Sequence, residues 1–247
     1  MEQSPTILKQ HTVELLRKSI LTMQGSRRQG EINTISTGLG PIEAAFPNKT
    51  FPTGAVHEFT SQAFSHVAAT NGFIGGILSS LMQKGGACLW IGTKRSVFPA
   101  ALHLFGINPE RIIFIDPTHT KHALWAIEEA LKCSTLAAVV GELSDLTFTQ
   151  SQRLQLAVEQ SHVTGFIHRI GARSNNAMAC VSRWKITPVL SESDGLPGLG
   201  LPRWNVQLIK VRNGIPGAWQ LEWSAKGFRQ VLSVVTDTQI TAQRKAG

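Results

Sequence analysis

The stretch EFTSQAFSHVAAT, Glu58 to Thr70, follows the apolar run GAV and leads into FIGGILSSLM at 73–82. An apolar strand, a turn and a long apolar helix form the setting of a phosphate-binding loop, whose pattern is G-x-x-x-x-G-K-[ST]. In such a loop glycines turn consecutive N–H groups toward phosphate oxygens. A lysine pairs with the β/γ-phosphates, and a hydroxyl coordinates magnesium. From Thr60 to Thr70 this chain has no glycine, lysine or acidic residue. Glu58 is the carboxylate beside the stretch. A catalytic base there would need a bound γ-phosphate to act on, so a satisfied structural role is expected. His57 faces the opposite side of the same strand and is expected to be a hydrogen-bonded scaffold residue.

Other reactive groupings are weaker. His119 and His122 stand three apart at the start of a helical segment with no third ligand of matching spacing, which argues against zinc. There is no G-x-S-x-G elbow and no carboxylate pair in an identifiable cleft. Cys88, Cys133 and Cys180 lie in apolar surroundings without C-x-x-C spacing, so reduced, buried thiols are expected. The residues thus predict no catalytic group, no metal and no cofactor.

The elements that hold these residues follow from length and periodicity. The chain has 247 residues, 42% hydrophobic and 16% charged, which fits one α/β domain with short terminal extensions and excludes a disordered chain. Short apolar runs at 55–59, 87–91, 112–116, 136–140 and 163–168 alternate with helical patterns at 66–83, 96–105, 120–132 and 149–161. Thr149 with Gln152 resembles a capping box. The alternation predicts a mainly parallel, twisted sheet with helices on both faces. From about residue 180 the helices stop. VSRWKITPV, RWNVQLIKVR and GAWQLEW read as strands that extend the sheet antiparallel at one edge.

Ahead of this core, 1–29 reads as an amphipathic helix and linker, with Ser4 as N-cap, Pro5 at the first helical position and Gly25 at the end. The core spans 30–228, and 229–247 is a basic tail expected to be loosely held. The apolar runs are too short to cross a bilayer, and charged residues occupy the N-terminus where an apolar signal core belongs. A cytoplasmic location and no membrane contact are expected. The net charge of +8, from 24 basic and 16 acidic residues, favours polyanionic partners.

ISTG at 35–38 followed by FPTGAVHEF at 51–59 resembles the entrance to the core of RecA recombinases. The later segments HALWAIEEALKC, LAAVVGEL, RLQLAVEQSHVTGFIHR, SRWKI and GLGLPRWNVQLIKVRNGIPGAWQLEW are similar to the ImuA family, RecA-like accessory proteins of damage-induced mutagenesis in bacteria. The resemblance covers about residues 30 to 225, and it implies a RecA-like core for the predicted sheet.

Laid on the RecA loop, Ser65, His66, Val67 and Ala68 occupy the phosphate-binding positions as a degenerate loop. Val67 supplies no charge and Ala68 no metal ligand, and His66 has a shorter reach than a lysine. The magnesium-linked aspartate of the second acidic motif falls on Gly141, with Glu142 one position later and facing the other way. ATP hydrolysis and nucleotide binding are therefore not expected.

The resemblance implies translesion synthesis within the SOS response. Partners would be a catalytically inactive Y-family polymerase homologue and an error-prone C-family DNA polymerase, with RecA itself as a further contact. Val13, Leu16 and Ile20 on the N-terminal helix are the docking candidates. DNA contact stays open, with Arg169, Arg173, Lys210 and Arg212 as candidates. Trp184, Trp204, Trp219 and Trp223 interleave with basic residues on the terminal strands, yet tryptophans on strands usually pack. Trp125 is expected to pack as well. The alternatives are a single-stranded DNA-binding module and a weak cryptic ATPase.

Overall fold

A computed structural model describes residues 37–172, 178–191 and 200–231. The docking candidates Val13, Leu16 and Ile20, the candidate Arg173, the expected N-terminal helix with its caps and most of the basic tail lie outside the described residues.

Among the described residues, nine strands form one sheet in the order β3-β2-β4-β5-β1-β6-β7-β8-β9. They are β1 Val56–Ser61, β2 Cys88–Gly92, β3 Ile112–Ile115, β4 Ala138–Leu143, β5 Thr164–Ile170, β6 Ser182–Val189, β7 Arg203–Val211, β8 Gly217–Ser224 and β9 Gly227–Gln230. Pairing is parallel from β3 across to β6 and antiparallel from β6 to β9. The expected antiparallel edge therefore begins one strand later than the sequence reading put it: β6 runs parallel to β1, because the chain leaves β5 and passes over β1 before re-entering the sheet. β9 is a strand the periodicity did not reveal.

Among the described residues, three α-helices cover the sheet: α1 Phe64–Leu81 on one face, α2 Thr120–Leu131 and α3 Phe148–Ser161 on the other. Residues 96–105, expected as an α-helix, fold as a 3-10 helix over Pro99–Phe105. The capping box of α3 is Thr147 with Gln150, two residues ahead of the pair expected. Thr147 Oγ1 accepts from Gln150 N at 3.2 Å, and Gln150 Oε1 accepts from Thr147 N at 2.8 Å.

Under α1 the core is aromatic. Phe59, Phe73 and Trp184 are fully buried, with Phe59 and Trp184 stacked at 5.9 Å, and Trp204 meets Phe73 edge-on at 6.1 Å. Trp223 donates its indole N–H to Leu104 O at 2.8 Å and packs edge-on against Phe228 at 4.9 Å. These tryptophans are packing residues, as expected. Under α2 and α3 the core is aliphatic, built on Val56, Ile91, Ile127, Val139, Leu154 and Ile167. Gly141 allows α2 to approach β4, since a Cβ there would stand 2.5 Å from Ile127 Cδ1.

Two expectations about burial are corrected. Trp125 is 64% exposed, because α2 buries Ala123, Ile127, Ala130 and Leu131 on one stripe and Trp125 points away from it. Cys133 is exposed just past the end of α2, whereas Cys88 and Cys180 are buried thiols that burial pushes up to about 12.

One polar cluster sits within the α2/α3 side of the sheet. Glu58 has no exposed surface. It accepts from Arg169 Nη1 at 2.9 Å and from Arg183 Nε at 2.6 Å, so one carboxylate ties β5, β1 and β6 together. Arg169 also approaches Asp145 at 3.5 Å. Removing one partner of such a buried group leaves uncompensated charge at a cost of about 3–5 kcal/mol, while replacing the whole group with apolar residues is far less costly. Glu58→Ala should lower stability by about that amount in urea unfolding. The triple change Glu58→Met, Arg169→Leu, Arg183→Leu should recover much of it. A Glu58→Ala protein as stable as the parent would refute the assignment.

Candidate functional site

β1 stops at Ser61 and α1 starts at Phe64, so only Gln62 and Ala63 separate strand from helix. A phosphate loop needs a longer stretch of non-helical backbone, since six residues run from its first glycine to its second. Ser65, His66, Val67 and Ala68, expected as a degenerate loop, are instead the first turns of α1, whose N-cap Ala63 offers no side-chain acceptor. Early winding follows from composition: with no glycine from Thr60 to Thr70, nothing holds this backbone out of the α region. Val67 points into the core, and Ser65 and Ala68 face outward.

The carboxyl ends of the parallel strands, beneath the start of α1, hold a chain of polar side chains, all buried except the half-buried Ser96. Thr70 and Ser61 hydroxyls meet at 2.9 Å, and Ser61 Oγ meets His168 Nε2 at 2.8 Å. His168 Nδ1 meets Asn71 Oδ1 at 3.0 Å, Asn71 Nδ2 donates to Ser96 Oγ at 2.6 Å, and Ser96 donates to Glu142 Oε1 at 2.5 Å. Trp90 Nε1 donates to the same oxygen at 2.7 Å. The acceptor-only carbonyl of Asn71 fixes the direction: His168 Nδ1–H donates to it, so Nε2 accepts from Ser61. Every donor then points along one path, Thr70 to Ser61 to His168 to Asn71 to Ser96 to Glu142. Such a chain polarises its members cooperatively.

Electrostatics agree with that direction. Burial pushes His168 down to about 3, which leaves the neutral imidazole that the path requires. Burial also raises the Glu142 carboxyl above its usual range, against the lowering effect of the Ser96 and Trp90 donors. Glu142 Oε2 is buried with no hydrogen-bond partner among the described residues. Gly92 makes room for it, since a Cβ at 92 would lie 2.9 Å from Glu142 Cβ. Glu142 faces Trp90 and Ser96 while Gly141 faces Ile127, so the two sit on opposite sides of β4 as expected. His57 is a scaffold residue, also as expected. Its ring nitrogens meet Ser182 Oγ at 2.6 Å and Pro52 O at 2.8 Å, and burial lowers it to about 4 despite the Pro52 carbonyl.

The DNA-contact candidates divide. Arg169 is buried on Glu58 and is not a loop-tip cation, which corrects the sequence reading: it lies inside β5, not in the loop that follows. Lys210 on β7 and Arg212 just beyond it are exposed. Among the described residues no group of three or more His, Cys, Asp or Glu side chains could hold a metal ion, and no helix is long and apolar enough to cross a membrane. Sequence reasoning missed the polar path. Its traces were Asn71 inside an apolar helix and His168 inside the apolar run VTGFIH, and their partners lie 97 and 107 positions from His168.

The two buried imidazoles predict a pH dependence. Their folded values lie below the ordinary 6.5, so the unfolded chain takes up protons first as pH falls. Their contribution is complete above about pH 7 and is lost as pH falls toward 4 for His57 and 3 for His168. Glu142 acts oppositely, its contribution being lost as pH rises through its raised value. Urea unfolding should show stability falling between pH 6.5 and 5 by at most about 1.4 kcal/mol per unit for each imidazole. His168→Gln should flatten that slope. A parent protein equally stable at pH 7 and 5 would contradict it.

No family model matches the sequence. Two curated relatives, both Protein ImuA from Caulobacter vibrioides, one from strain NA1000 / CB15N and one from strain ATCC 19089 / CIP 103742 / CB 15, are each 32% identical over 209 residues. The matched region is 78% of this chain and 84% of the relative. Among solved structures, the crystal structure of the RadB recombinase aligns with a TM-score of 0.56 at 16% identity, covering 80% of this chain and 100% of that one. That likeness shows a RecA-like fold. The sequence relatives show the family: the chain belongs to the ImuA family.

Proposed function

We propose that this protein is a non-catalytic accessory factor of damage-induced mutagenesis, a RecA-like scaffold that docks the components of an error-prone polymerase. The observation that carries the reading is the junction after β1. A helix begins two residues past the strand, and side chains of the protein itself occupy the polar space beneath it. A triphosphate there would meet neither a lysine nor a turned row of N–H groups, and losing such charge-assisted contacts weakens phosphate binding by several kcal/mol. ImuA kinship supports the process proposed here, translesion synthesis in the SOS response. Its partners are a catalytically inactive Y-family polymerase homologue and an error-prone C-family polymerase, with RecA as a third contact and a cytoplasmic setting.

In this reading docking belongs to the segments outside the core, the amphipathic 1–29 with Val13, Leu16 and Ile20, and the basic tail. β9 extends to Gln230 and its Phe228 packs on Trp223, so a tail truncation that spares the core should begin at 232. Co-purification of full-length protein, of a form lacking 1–29 and of a form lacking 232–247 with the purified inactive polymerase homologue tests the proposal. Loss of capture in one truncation with an unchanged Tm is expected. Both truncations and the triple change Val13→Asp, Leu16→Asp, Ile20→Asp capturing the polymerase as well as the parent would overturn it.

A further inference from the structure

Strands alternate the faces on which their side chains emerge, and on β6, β7 and β8 the two faces differ sharply. Trp184, Ile186, Trp204, Val206, Leu208 and Leu221 are buried toward α1. The opposite face carries paired rows: Arg183 beside Lys210, then Lys185 beside Gln207 and Ala218, then Thr187 beside Asn205 and Gln220, then Arg203 beside Glu222 and Arg229. α2 and α3 cover this face farther along, over β2, β4, β5 and β1. Among the described residues no helix packs on it over β6 to β8, and Lys185, Thr187, Asn205, Gln207 and Gln220 remain partly exposed there.

The charges on this face are not balanced. Arg183 is neutralised by Glu58, and Arg203 and Arg229 share Glu222. Lys185 and Lys210 lie on neighbouring strands in adjacent rows, Arg212 follows two residues on, and no carboxylate among the described residues pairs with any of the three. One end of the face is therefore cationic. Its middle is a row of amides and a hydroxyl, which both donate and accept hydrogen bonds.

We propose that this open face of β6–β8 binds single-stranded nucleic acid, with backbone phosphates on Lys185, Lys210 and Arg212 and base edges over Thr187, Asn205, Gln207 and Gln220. The cations select a polyanion. The amides select one whose hydrogen-bonding edges are unpaired, because in a duplex those edges lie in grooves that a flat sheet face does not enter. Trp184 and Trp204 are turned into the core, so binding on this face does not rest on stacking.

Fluorescence anisotropy of the full-length protein with a labelled oligothymidylate at about 50 mM salt tests it. Three phosphate contacts give an expected slope of about −2 for log K against log salt on a single strand. The double change Lys185→Glu, Lys210→Glu should weaken binding at least about tenfold and reduce the slope to about −0.7, with Tm unchanged. Gln207→Ala with Gln220→Ala should weaken binding while leaving the slope unchanged. Arg212→Glu, which lies beyond the strand pairing, repeats the charge test if the double variant fails to fold. Parent and charge variants binding alike, no binding at about 50 mM salt, or equal displacement by duplex DNA or by polyglutamate would each overturn the proposal.

Discussion

Glu58 is buried at the centre of a nine-stranded sheet, and its carboxylate holds a guanidinium from the strand on either side. That geometry allows a single register of β5, β1 and β6, because a slip of one residue would leave three charges buried without partners. β1 also delivers the chain to α1, so the same register sets where Ser61 ends and where the helix begins. One face of β1 thus carries the ionic tie, and the other carries Phe59 and the aromatic core.

The register also brings Ser61 against His168 and Thr70, and through Asn71 and Ser96 the path continues to Glu142. In a RecA-like fold the carboxyl ends of these strands are where ligands are bound. Here the donors and acceptors at that edge are turned on one another, and His168 is held neutral by burial. Among the described residues, Glu142 Oε2 at the end of this path and His66 Nδ1 at the start of α1 are buried without a hydrogen-bond partner. This arrangement supports the proposed role as a scaffold.

Much of this was legible in the sequence, for physical reasons. Four of the parallel strands, β1, β2, β4 and β5, showed as short apolar runs because they are largely buried on both faces, and the change of rhythm after 180 showed as alternation because β6–β8 bury one face only. The roles of Glu58 and His57 followed from charge and position on one strand. Arg169 was misplaced because its burial depends on Glu58, 111 positions away, and an arginine after an apolar run reads locally as the start of a loop. The early start of α1 was missed because the family overlay suggested a loop, whereas the local sequence contained nothing to interrupt a helix. Trp125 was misjudged because one residue of shift turns a helical side chain by about 100°, from the buried stripe to solvent.

The central claim is that the place of a phosphate loop is filled by the protein's own helix and side chains. Thermal unfolding of the full-length protein with and without ATP and magnesium tests it most directly. A ligand bound only to the native state at about a hundred times its Kd adds about 2.7 kcal/mol, which in a domain of this size raises Tm by about 5–10 °C. The account predicts no change in Tm at millimolar ATP. A saturable rise that requires magnesium would contradict it.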